Sequence, residues 1–198
     1  MTTTQSQSLT REYHGTEIPA AGVYQLDPAH SSVEFVARHL MIAKVRGAFT
    51  DVSGTITIGE VPEQSSVDVT IGAASVSTKE DTRDGHLRSA DFFDVENHPT
   101  WWFRGNGVRL LGGAKFELTG ELTIRGVTKP VVLEGEFEGA GSTPWGTSAV
   151  GFSASTEIDR EEFGLTYNQV LESGGVLVGK KVRVELSVEA NPLQAEAA

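Results

Sequence analysis

The stretch "KFELTGELTIRG", residues 115–126, decides the fold. Phe116, Leu118, Leu122 and Ile124 fall on one side of it. Lys115, Glu117, Thr119, Glu121, Thr123 and Arg125 fall on the other. Apolar and polar residues alternate with period two, the signature of a strand with one buried and one wet face. A core-facing helix would need apolar positions three and four apart instead.

The same alternation recurs in both directions from this stretch. Val67, Val69 and Ile71 oppose Asp68 and Thr70 upstream, and Ile56 and Ile58 oppose Thr55 and Thr57. Val33, Phe35 and Ala37 oppose Glu34 and Arg38. Downstream, Leu133 and Phe137 oppose Glu134, Glu136 and Glu138, and Val150, Phe152, Ala154 and Ile158 form another apolar row. Val182, Val184, Leu186 and Val188 oppose Lys181, Arg183, Glu185 and Glu189. With further strands near 23–26, 44–51 and 100–110, the chain holds about eight to ten strands separated by Gly-rich breaks. One-sided strands in this number form an antiparallel sheet that closes on itself or folds over as a sandwich. Closure removes exposed edges, and a barrel of about eight strands is wide enough for one small ligand.

The chain has 198 residues, which suits one domain. Residues 1–20 are rich in Thr, Ser and Gln and are expected as a flexible N-terminal tail. Residues 21–190 form the folded domain, and 191–198 a C-terminal tail. The formal net charge is −11, so a nucleic-acid partner is not expected. No cysteine occurs, which excludes disulfides, thiolate catalysis and Cys-type zinc sites. The first residues show no basic cluster followed by an apolar run, so a cytoplasmic location is expected. No stretch reaches the length of a membrane-spanning helix. An outer-membrane barrel also alternates, but three Trp and three Tyr are too few for paired aromatic girdles.

One segment breaks the strand rhythm. "TRDGHLRSADFF", residues 82–93, gathers two arginines, two aspartates, a histidine and then two phenylalanines. Thr78, with Asp81 three residues later, is a weak helix-start signal, and Pro99 ends the segment. The segment is thus expected to be helical near residues 79–93. Leu87 is its one large apolar residue, so the helix lacks a core-facing stripe. It is either solvated or held by polar contacts at a barrel end, with Phe92 and Phe93 folded beneath as a plug.

Chemistry-bearing patterns are sparse. His86 beside Arg83 and Asp84 reads either as an acid/base cluster or as a structural hydrogen-bond cluster. No G-x-S-x-G elbow and no P-loop is present. The five histidines show neither H-x-x-x-H nor H-x-H spacing, so no metal and no cofactor is expected. Phe35, Phe49, Phe103, Phe116, Phe137 and Phe152 sit on separate strands. They form either a filled core or the wall of an apolar cavity.

The ordered blocks "LDPAHSSVEFVARHL", "VRGAFTDVSGTI", "STKEDTRDGHLRSADFFDVENHPTWWF", "LTGELTIRGVTKPVVL" and "IDREEFGL" closely resemble the YceI-like family over residues 22–189. The resemblance implies an all-β fold, an extended lipocalin-like antiparallel barrel. It implies a polyisoprenoid or other long-chain lipid as the partner, held in an elongated apolar tunnel, and a homodimer. Many family members are exported, whereas no leader is visible here. The resemblance also implies that Arg83, Asp84 and His86 fix the charged segment or meet a ligand head group. His39 is implied as a second candidate at the opening. The expected function is non-catalytic binding, storage or transport of such a lipid. The expected wall is Phe35, Phe49, Phe92, Phe93, Phe103, Phe116, Leu122, Ile124, Phe137 and Phe152. The rival reading is an enzyme acting on a bound amphiphile through His86 with Asp84, or through His39.

Overall fold

The computed structural model describes residues 8–143, 146–170 and 175–193. Strands β1 (Thr10–Tyr13) and β2 (Thr16–Pro19) form a small hairpin by themselves. They are followed by β3 (Gly22–Leu26), β4 (Ser32–His39), β5 (Ala43–Phe49), β6 (Val52–Ile58), β7 (Ser66–Gly72) and β8 (Val76–Ser77). Helix α1 (Asp81–Arg88) then precedes β9 (Thr100–Gly112), β10 (Lys115–Ile124), β11 (Val127–Ser142), β12 (Ser148–Asp159) and β13 (Val178–Pro192).

β3, β6, β7, β9, β10, β11, β12 and β13 pair in that order, and β13–β3 pairing completes the ring. The result is a closed antiparallel barrel of eight strands. β4, β5 and β8 extend the barrel wall at one end. β4 continues along the edge of β13 that β3 occupies, β5 pairs with β4, and β8 with β5. The break between β3 and β4 comes at "DPAHS", where the Asp27 carboxylate accepts from Ala29 N at 2.8 Å in a local turn. The turn between β10 and β11 is Arg125–Gly126, both at positive φ (49° and 74°), which gives the twist a two-residue hairpin needs.

The alternation of "KFELTGELTIRG" holds in β10. Leu118 and Ile124 are buried, and Lys115, Thr119 and Glu121 are exposed. Outside, charges pair across strands, as Arg104 does with Asp68 and Arg46 with Glu185.

α1 closes one end of the barrel. Its N-cap is Glu80, whose carboxylate accepts from Thr82 N and Arg83 N, and not Thr78. Thr78 is already committed, because its N–H and hydroxyl both donate to Asp84 Oδ1 at 2.8 and 2.5 Å. The helix is shorter than the expected 79–93 and is followed by turns. It is anchored by polar contacts, as its missing apolar stripe requires. Arg88 donates to the carbonyls of Ala74 and Val76, and Arg125 ties the carbonyls of Ala90 and Gly164 together.

The two termini differ from expectation. Residues 10–19 are paired strand rather than free tail, with Ile18 and Pro19 buried. β13 runs past residue 190 to Pro192. Residues 1–7 and 194–198 lie outside the described residues.

Candidate functional site

The barrel interior is divided along its length. Beneath α1 it is solid. Phe35, Phe49, Phe93 and Trp101 stack in a chain, with ring centroids 5.8 Å apart for Phe35–Phe49 and 5.0 Å for Phe49–Trp101. Phe93 meets Trp101 edge-on at 4.7 Å. Such tilted and edge-to-face pairs are the favoured aromatic geometries. Ile124, Ile158 and Phe163 complete this plug.

Beyond the plug the interior is hollow. A cavity of about 190 Å³ runs toward the opposite end. Its wall includes Val33, Ile56, Val69, Phe103, Phe116, Leu118, Leu122, Leu133, Phe137, Phe152, Val184 and Leu186. From Phe116 to Leu122 the wall follows β10 for six residues, about 20 Å along the strand. The cavity is therefore elongated. Two of its polar wall residues turn their groups into the backbone. Ser31 Oγ donates to Glu189 O, and Ser65 Oγ accepts from Gly59 N, both at 3.1 Å.

Two of the lining phenylalanines lie flat against glycines. Phe116 directly opposes Gly135 across β10–β11, and a Cβ on Gly135 would sit 2.4 Å from the Phe116 ring. Phe103 lies over Gly120 in the same way, at 2.7 Å. An aromatic ring laid over a cross-strand glycine covers the wall and leaves the lumen clear.

A family model described as the YceI-like domain matches residues 24–190. The chain belongs to the YceI-like family. A UPF0312 protein of Staphylococcus aureus is 36% identical over 169 residues, covering 84% of this chain and 95% of that relative. The solved Campylobacter jejuni YCEI protein superposes with TM-score 0.68 at 33% identity, covering 79% of this chain and 90% of that one. BcnA of Burkholderia cenocepacia gives TM-score 0.73 at 22% identity, covering 83% and 98%. A polyisoprenoid binding domain from Saccharophagus degradans gives 0.64 at 15% identity, covering 88% and 100%. The last two show the same fold.

In this YceI-like barrel the expected wall divides in two. Phe103, Phe116, Leu122, Phe137 and Phe152 line the cavity. Phe35, Phe49, Phe92, Phe93 and Ile124 do not; they belong to the packed end. Phe92 is buried there against the rings of His86 and Tyr167, each 5.0 Å away and themselves in contact at 4.9 Å.

The polar candidates lie at the α1 end, away from the cavity wall. Arg83 donates from Nε to Thr78 Oγ1 at 2.6 Å and from Nη2 to Thr78 O at 3.0 Å. Thr78, Asp84 and Arg83 thus form a closed knot in which Thr78 and Asp84 are buried. His86 is not paired with Asp84. Its Nε2 lies 2.9 Å from Asp91 Oδ2, and the side chain is 41% exposed. His39 sits at the end of β4, opposite Ala43 and Val178. The arrangement ties α1 to the barrel and brings His86, Asp84 and His39 to no shared atom.

Arg160 was not singled out from the sequence. It is 3% exposed, and its guanidinium donates to the carbonyls of Gly179, Leu165 and Val178. Burial pulls its pKa below the usual guanidinium value. It fastens the segment after β12 to the start of β13. On the outer surface, Asp27, His30 and Glu189 each offer a donor atom within 4.8 Å of the others. There the His30 ring lowers the Asp27 pKa through a 2.9 Å hydrogen bond, and Asp27 raises that of His30.

Proposed function

We propose that this protein binds one apolar lipid chain, an isoprenoid or similar hydrocarbon, inside the barrel, as a carrier or store. The observation that carries this reading is the elongated hollow whose wall is almost wholly apolar. A water-sized group needs about 10–15 Å³ of such space. The cavity is more than ten times that size, which exceeds any packing defect and leaves room for a hydrocarbon chain. Burying a few hundred Å² of chain at about 25 cal/mol per Å² contributes several kcal/mol before association costs. The likeness to a polyisoprenoid binding domain supports the same class of ligand.

Organic extraction of the purified protein, followed by mass spectrometry, tests the reading. One lipid species per chain is expected. Leu122→Arg places a cation in mid-tunnel and is expected to abolish that occupancy, with the fold checked by circular dichroism. Wild-type occupancy in folded Leu122→Arg would contradict the wall assignment.

A further inference from the structure

The hollow end of the barrel is crossed by the β1–β2 hairpin. β6 and β11 are four places apart in the eight-strand ring, so they face each other across the lumen. On the β6 side, Arg11 Nη2 donates to Gly59 O at 2.7 Å, and its Nη1 lies 3.8 Å from Glu60. On the other side, β2 packs against β11. The hairpin therefore spans the opening as a diameter. Its residues Glu17, Ile18 and Pro19 form part of the cavity wall, and Ile18 is 6% exposed.

The hairpin is attached as a movable part would be. It joins β3 through the small residues Ala20, Ala21 and Gly22. Gly22 has φ 154°, and an added Cβ would meet nothing closer than 3.9 Å. Tyr24 fixes the barrel side of this joint by donating to Ala20 O at 2.8 Å. The latch is imperfect, because Arg11 Nε is buried without a partner among the described residues, and an unpaired buried donor weakens closure. The family match begins at residue 24, so the hairpin lies outside the matched residues.

We propose that residues 10–19 form a lid that selects the ligand by length. This rests on the lipid-binding reading above. With the lid shut, the space offered is about 190 Å³, which favours a short uncharged chain. A longer chain would have to displace Ile18 and break the Arg11 contacts.

The test is a competition. Delipidated full-length protein is mixed with equal amounts of farnesol, geranylgeraniol and solanesol, which carry three, four and nine isoprene units. Bound species are counted by native mass spectrometry. The native chain is expected to favour the two short alcohols over solanesol by about tenfold or more. The double variant Arg11→Ala with Ile18→Asp is expected to erase that preference, and Arg11→Ala alone to weaken it. A native chain that loads solanesol as readily as farnesol would overturn the lid. So would a short-chain preference unchanged in both variants. If no prenol binds even the native chain, the lipid-binding reading itself fails.

Discussion

At the scale of single residues, the interior of this protein is governed by which polar groups find partners. Arg160 satisfies three backbone carbonyls in a buried site. Arg160→Ala is expected to lower stability by about 3 kcal/mol, read by urea denaturation, because those acceptors would be stranded. In "IDREEFGL" it is one charge among four adjacent ones, and nothing in spacing marks it as buried. The histidines drew attention for the opposite reason. Their chemistry is visible in any sequence, yet His86 and His39 sit apart from the cavity wall. His30 carries a pH effect instead. Its raised pKa makes a contribution present below the unfolded value near 6.5 and lost as pH rises through the folded value. The lowered pKa of Asp27 makes one present above 3.8 and lost as pH falls through its folded value. His30→Gln should thus lower Tm slightly at about pH 5.5 and not at about pH 8.5. The effect is small because the pair is exposed. Equal melting at both values would remove this contribution.

At the scale of elements, period-two alternation made the strands legible, since one face of each is wet and the other is not. What the alternation could not show is how far each inward side chain reaches. Glycines within strands look like weaknesses or turns when read along the chain. Across the ladder they become the seats on which rings lie, as Gly135 is for Phe116 and Gly120 for Phe103. Register between strands is a non-local property, so this pairing was hidden. Gly135→Ala should drive the Phe116 ring off the wall and into the lumen. Lipid occupancy by mass spectrometry is then expected to fall while the far-ultraviolet spectrum stays native. Undiminished occupancy would show that the ring has room elsewhere. α1 was legible as a polar helix held at a barrel end, because one leucine cannot make an apolar stripe. Its cap was misplaced by two residues, since Thr78 serves Asp84 across the turn. The N-terminal hairpin was missed because "TREYHGTEIP" has few apolar residues, and its burial comes from Ile18 and Pro19 alone.

At the scale of the whole molecule, the barrel carries a costly hollow. Residual cavity volume costs about 24 cal/mol per Å³, so 190 Å³ left empty corresponds to about 4–5 kcal/mol. That is comparable to the entire stability of many domains. A ligand at 100 times its Kd returns about 2.7 kcal/mol. For a chain of this length, the delipidated protein should therefore melt about 5–10 °C below the loaded one. Identical melting by calorimetry would mean that nothing of consequence fills the space. The sequence left open whether the barrel was hollow or filled, and both descriptions hold, each for one end. The aromatic residues near α1 interlock, while toward the other end Phe103 and Phe116 flatten against glycines.

The central claim is the elongated void and its occupant. A crystal structure of the protein purified without detergent tests it most directly. Continuous tubular density is predicted from beneath Ile18 to Leu122, bounded by Phe116 and Phe152 in their wall positions. A lumen closed by those same rings rotated inward, with no density between them, would contradict the account.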